Sequence, residues 1–109
     1  MIFITIDPRG YEIQMTDECW YKHIIIEHPE MDDCLDSIKQ AIETPDYIYE
    51  SKYRSSSQLY FLNVLDEDSE TEYILVVVSI RQKNRKGYVQ TAFLVDGISK
   101  GGKLLWKKN

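Results

Sequence analysis

The chain has 109 residues, 18 acidic against 13 basic side chains, two cysteines and a net charge of −5 at pH 7. That length fits a single domain over residues 1–109, and 43% apolar residues exclude a disordered or collagen-like chain. The longest aliphatic run, Ile74 to Val78, is far below the ~20 residues that cross a bilayer, and Met1 to Asp7 carries no secretory leader pattern, so a soluble, cytoplasmic protein without a membrane partner is expected.

In chain order, Ile2, Ile4 and Ile6 alternate with Phe3 and Thr5 before the turn residues Asp7-Pro8-Arg9-Gly10. Alternation resumes from Tyr11 to Met15, so residues 2–15 read as a hairpin. Thr16 is a candidate N-cap for a helix over 17–28, with Asp17 and Glu18 in its first turn where the helix dipole favours anions. Pro29 suits the first turn of a second helix, in which Cys34, Leu35, Ile38, Ala41 and Ile42 keep the 3.6-residue period. Pro45 disfavours helical geometry at Thr44 and ends it.

From there the composition turns to β-branched and aromatic residues. Strands are expected at Tyr47 to Tyr53, Gln58 to Leu65, Glu72 to Arg81 and Gly87 to Val95, joined by short polar connections. The expected architecture is α+β: two N-terminal helices on an antiparallel sheet of about four strands, with the hairpin at the N-terminus. Its core would span residues 16–95, and 96–109 would be a basic C-terminal tail.

Charge is unevenly spread. Residues 1–80 hold 17 acidic and 5 basic side chains, whereas 81–109 hold 8 basic ones and only Asp96. Such asymmetry points either to an anionic ligand or to a solvated turn with a ragged tail. Cys19 and Cys34 form no disulfide framework or CxxC metal site, and both fit reduced thiols within helical patterns. Nucleotide-binding, zinc-protease and serine-hydrolase signatures are absent, and Gly101-Gly102 between lysines reads as a flexible turn.

Both histidines lie in the stretch Trp20 to Met31. His23 and Glu27 are four apart and share a helix face, where a hydrogen bond would orient the imidazole. His28 is rotated by about 140° from His23, so the pair makes no obvious metal site. The plainer readings are a helix-face histidine beside Trp20 and a cap before Pro29. On the strand at 73–81, Ile74, Val76, Val78 and Ile80 form an apolar side, while Tyr73, Leu75, Val77, Ser79 and Arg81 form a mixed one. Tyr60, Tyr88 and Gln90 would extend that mixed side, register permitting, as a platform for bases and a phosphate. An ordinary half-exposed sheet face is the competing reading.

The runs Trp20-x-x-His23-Ile24-x-x-x-His28-Pro29-Glu30-Met31, Ile42-x-x-Pro45-Asp46-x-Ile48-Tyr49-Glu50-Ser51, Leu59-Tyr60-Phe61, Tyr73-Ile74-x-Val76-Val77-Val78 and Val89-x-Thr91-Ala92-Phe93 resemble the phage-associated barnase–EndoU–colicin E5/D–RelE-like (BECR) nuclease domains. The resemblance covers about residues 16–95 and rests on spacing and residue type. It implies a metal-independent ribonuclease without cofactors, a toxin or prophage-encoded enzyme, in which the ribose 2′-hydroxyl attacks the adjacent phosphate and leaves a cyclic phosphate. Carried over by position, His23 and His28 match the helix histidines, Thr91 the hydroxyl residue of the last long strand, and Ser51 and Tyr60 other recurrent polar positions. Arg54 or Arg81 would supply the phosphate-stabilising charge, and Lys83, Arg85 and Lys86 would add RNA contacts. The implied partners are RNA, such as tRNA or ribosome-bound mRNA, and an antitoxin or immunity protein. Strict alternation sets Thr91 beside Val89, Phe93 and Val95 on an apolar face, so the role requires a bulge that re-aims it. The alternative function is a non-catalytic binding or regulatory module that keeps the nuclease-like fold, which the acidic net charge favours.

Overall fold

The computed structural model describes residues 1–64, 72–98 and 102–109. Leu65, the acidic connection Asp66 to Glu70, Lys100 and Gly101 lie outside the described residues. Within them are seven strands: β1 (Phe3–Ile6), β2 (Glu12–Met15), β3 (Tyr47–Glu50), β4 (Ser57–Asn63), β5 (Tyr73–Arg81), β6 (Lys86–Val95) and β7 (Leu104–Lys107). They form one sheet in the order β1-β2-β6-β5-β4-β3-β7.

This corrects the expected architecture in two respects. The N-terminal hairpin is part of the main sheet, because β2 pairs in parallel with the start of β6 over Glu12–Gln14 and Lys86–Tyr88. The sheet is therefore mixed rather than antiparallel. Residues expected as a basic tail supply β7, which pairs antiparallel with β3 through Trp106 opposite Ile48. Leu104, Leu105 and Trp106 carry enough apolar surface to dock against the sheet despite the lysines around them. The molecule remains α+β, but on a seven-stranded mixed sheet.

Close packing at Gly87 makes the parallel joint possible. A Cβ there would lie 2.8 Å from Ile13 Cδ1 and 2.9 Å from both Ile80 Cδ1 and Val78 Cγ1, all of them core atoms.

Residues 17–27 are helical. Thr16 caps them, its Oγ1 accepting from the Cys19 N–H at 3.1 Å. Asp17 and Glu18 start α-helical, the turns at Cys19–Ile24 are π-helical, and Ile25–Glu27 returns to α-helix. Pro29 opens a single 3-10 turn, Pro29–Met31, and the second helix begins later than expected, at Leu35, and runs to Glu43. Thr44 leaves helical geometry just before Pro45.

Ile38, Ala41 and Ile42 from the second helix, and Trp20 and Ile24 from the first, pack on Ile48, Tyr60, Leu62, Ile74, Val76, Val78, Ile80 and Ala92. The apolar side expected on β5 is thus the core face. Among the described residues no helix is long and apolar enough to cross a membrane.

Candidate functional site

The opposite face of the sheet holds the site. Val77 pairs with Thr91 but Val78 pairs with Val89, so Gln90 is an extra residue, a β-bulge in β6. The bulge breaks the alternation. Val89 remains in the core, while Thr91 turns to the other face with Val77, and its hydroxyl is buried without a hydrogen-bond partner among the described residues.

Thr91, Gln90 and Val77 line a cleft of about 290 Å³ with Ser51, Tyr53, Arg54 and Ser57 from the β3–β4 connection and the start of β4. Hydrogen bonds shape that connection. Ser51 Oγ accepts from the N–H groups of Tyr53 (3.2 Å) and Arg54 (3.3 Å), and the Ser51 N–H donates to Ser57 O at 2.9 Å. Ser57 is buried, and its hydroxyl donates to Gln90 Oε1 at 2.9 Å. Arg54 and Tyr53 are exposed.

Three turns meet at this end of the sheet. The Ile80 N–H bonds Ser56 O at 2.7 Å, the Glu12 N–H bonds Arg85 O at 3.0 Å, and Arg85 Nη2 donates to Arg9 O at 2.6 Å. They gather Lys52, Arg54, Arg81, Lys83, Arg85 and Lys86 into a basic pole. Among the described residues Arg54, Arg81, Lys83 and Lys86 form no ion pair, so their charge is available to an anion.

The sequence-predicted residues divide accordingly. Ser51, Arg54 and Thr91 share the cleft. Arg81 ends β5 on the pole, exposed and on the same side as Val77 and Ser79. His23 is exposed and lines a neighbouring cleft of about 400 Å³ with Thr16, Glu18, Cys19, Val89 and Gln90, so only Gln90 joins the two. No hydrogen bond links His23 to Glu27 among the described residues. The π-helical turns through His23 shift the side-chain repeat away from four residues. His28 stacks on Phe93, with centroids 4.9 Å apart, and its Nδ1 is 4.0 Å from Glu30 Oε1.

Tyr60 is elsewhere. It pairs with Val76 and is fully buried on the core face, so it offers no ring to an RNA base. Its hydroxyl donates to Asp7 Oδ2 at 2.6 Å and accepts from Arg9 Nη2 at 2.9 Å, and Arg9 Nη2 also reaches Gln58 Oε1 at 2.6 Å. Burial, then the Asp7 carboxylate beside it, pushes the Tyr60 phenol well above its ordinary pKa. Arg85 is also engaged, its guanidinium 5.0 Å from the Tyr11 ring centroid.

Sequence reasoning named Gln90 only as part of the platform for bases and a phosphate, and singled out neither Ser57 as a site residue nor Asp7 and Arg9 as a buried pair. The Cys19 thiol donates to Val89 O at 3.0 Å, and burial pushes its pKa up to about 11, which leaves a poor nucleophile. Among the described residues no three His, Cys, Asp or Glu side chains gather as metal ligands.

No protein-family model matches the chain, and no curated protein or solved structure matches it significantly.

Proposed function

We propose that the protein is a small endoribonuclease of the BECR type whose reaction takes place in the Arg54–Thr91 cleft. One observation carries the reading. The Gln90 bulge turns Thr91, whose buried hydroxyl has no partner among the described residues, toward an open cleft that Arg54, free of ion pairs among the same residues, also lines, at the pole where the basic side chains collect. A buried hydroxyl without a partner is costly in a resting protein, so a ligand that supplies one is favoured there.

In this mechanism the 2′-oxygen of the ribose attacks the adjacent phosphorus, and the bond to the 5′-oxygen of the next nucleotide breaks. A 2′,3′-cyclic phosphate and a free 5′-hydroxyl result. Arg54 stabilises the charge that grows on the phosphorane oxygens, with Arg81 further along the pole. The Thr91 hydroxyl donates to one of those oxygens. His23, across the Gln90 rim, is the proton carrier, taking the 2′-hydroxyl proton or delivering one to the leaving 5′-oxygen. Lys83 and Lys86 hold flanking phosphates of a cytoplasmic RNA, such as tRNA or ribosome-bound mRNA. An antitoxin or immunity protein would cover the same pole.

Incubating the protein with such RNAs in EDTA tests the proposal. Expected are products ending in a cyclic phosphate, with loss of cleavage in Arg54→Gln and His23→Ala. Intact tRNA, mRNA and ribosome-bound RNA after prolonged incubation would overturn it. The second reading, a binding module on the same fold, is favoured by the separation of His23 from the Arg54–Thr91 cleft. It predicts RNA retention at the basic pole without cleavage.

A further inference from the structure

Gln90 has a role that the bulge alone does not explain. A bulged residue usually has a side chain free to find its own rotamer. Here the buried Ser57 hydroxyl, 2.9 Å from Oε1, fixes the carboxamide. With its oxygen directed at Ser57, the carboxamide has its Nε2 hydrogens on the other side. Among the described residues no protein group accepts from Nε2, which is not among the buried unpartnered atoms. Arg54, whose guanidinium meets no carboxylate among the described residues, lines the same cleft, and the unpartnered Thr91 hydroxyl lies buried in its wall. Its polar side-chain groups thus include three unengaged donors and no carboxylate. Such a set suits a tetrahedral oxyanion, whose oxygens accept from several directions at once.

We propose that Gln90 Nε2, the Arg54 guanidinium and the Thr91 hydroxyl form a subsite for one phosphate group, with Ser57 as the positioning residue. Gln90 then donates to a non-bridging oxygen of that phosphate. The subsite rests on reading this cleft as the reacting site, and in the cleavage reaction the phosphate it holds is the scissile one. Phosphate binding and RNA cleavage are nevertheless separate measurements.

The test uses the full chain labelled with nitrogen-15 and titrated with inorganic phosphate, then with a nucleoside 3′-monophosphate. The Gln90 side-chain amide is assigned by its disappearance in Gln90→Leu. Its two resonances and the Arg54 Nε–H should shift together and saturate. Gln90→Glu keeps the side-chain shape but replaces the donor with a charge, and should abolish the Arg54 shift. Ser57→Ala should weaken phosphate binding several-fold while the backbone spectrum stays that of the wild type, as expected of a positioning residue. In RNA cleavage Gln90→Leu should lower kcat by about 10²-fold, the loss typical of one oxyanion donor, with little change in KM. A Gln90 amide that stays still while phosphate shifts other side chains would overturn the subsite. So would wild-type cleavage by Gln90→Leu. A saturable Gln90 shift in a protein that cleaves no RNA would keep the subsite and remove the nuclease reading.

Discussion

Two polar clusters in this molecule each combine an arginine, a tyrosine and a glutamine, and differ in the group at the centre. The core-face cluster joins Arg9, Tyr60 and Gln58 around Asp7, and the cleft on the opposite face joins Arg54, Tyr53 and Gln90 around Thr91. In the first, the Asp7 carboxylate accepts from Arg9, Tyr60 and the N–H groups of Arg9 and Tyr11. The Tyr60 hydroxyl, Arg9 Nε and Nη2 and the N–H groups of Arg9 and Tyr11 have protein acceptors, and the cluster fastens the 7–10 turn to β4. The second lacks a carboxylate. Among the described residues its arginine is unpaired and its threonine hydroxyl has no partner. A satisfied network adds rigidity, whereas an unsatisfied one in an open cleft adds affinity for whatever completes it. The contrast assigns structure to one cluster and ligand binding to the other.

The largest expected effect separates them by stability. Asp7→Ala leaves Arg9, mostly buried, without its counter-charge and removes the acceptor of five donor atoms. Breaking a buried pair from one side costs about 3–5 kcal/mol, and urea denaturation should show a loss of that order. Asp7→Asn keeps an acceptor oxygen and should cost about half as much. If Asp7→Ala unfolds with the wild-type midpoint, the core-face cluster is not what holds the hairpin turn.

In the cleft the same operation should work in reverse. Thr91→Val removes a buried hydroxyl that has no partner, so stability should hold or rise by up to about 1 kcal/mol. RNA cleavage should fall by about 10-fold or more, because the lost donor acts only on the substrate. Arg54→Gln should also leave stability within about 0.5 kcal/mol. Thermal melts paired with cleavage rates check both. A Thr91→Val protein that is markedly destabilised would make the hydroxyl structural and erase the contrast.

Much of this was legible because it is local. The apolar side of β5, the Thr16 cap and the stop at Pro45 follow from alternation, side-chain oxygens and proline sterics over a few residues. What was not legible depends on pairing across the chain. Nothing in Glu12-Ile13-Gln14 announces a parallel partner 74 positions later. The face of Tyr60 follows from its register with Val76, and aromatic residues suit either side of a strand. Lysines around Leu104-Leu105-Trp106 masked β7. The bulge could be named as a requirement for Thr91, but Val89-Gln90-Thr91 carries no glycine or other local mark of one. The π-helical turns at Cys19–Ile24 were equally silent, and they decide where His23 points.

Cys19 sharpens the comparison from the neighbouring cleft, since its thiol donor is already satisfied by Val89 O. Burial raises its pKa from 9.0 to about 11. Between those values the unfolded chain loses the thiol proton while the folded one keeps it. Stability is therefore full below pH 9 and falls as pH rises toward 11. The Tyr60 phenol adds its own loss at higher pH, so the informative quantity is the difference from Cys19→Ala. That variant should lack the thiol's share of the decline between pH 9 and 11, though a cavity lowers its stability at every pH. Equal slopes would mean that the thiol is not held protonated by the fold.

The smallest effect concerns the basic pole, where the turn at 82–85 contains both kinds of residue. Arg85 has φ +53°, donates to Arg9 O and lies over Tyr11, so it belongs to the fastened side of the molecule. Lys83 and Lys86 are exposed and form no ion pair among the described residues, and belong to the open side. Each phosphate neutralised on a single strand contributes about 0.7 to the log–log salt slope of binding. Lys83→Gln with Lys86→Gln should therefore flatten the slope by up to about 1.4, with stability unchanged within about 0.5 kcal/mol. Adding Arg85→Gln should lower the melting temperature and flatten the slope little further, because its guanidinium is already engaged. Fluorescence titrations of a 2′-O-methyl oligonucleotide, which cannot be cleaved, at several salt concentrations measure the slope apart from turnover. An Arg85 contribution as large as that of either lysine, with no change in melting, would move this residue to the open side. The RNA path would then run across the Tyr11 ring toward Arg9, rather than along β5 and β6 into the cleft.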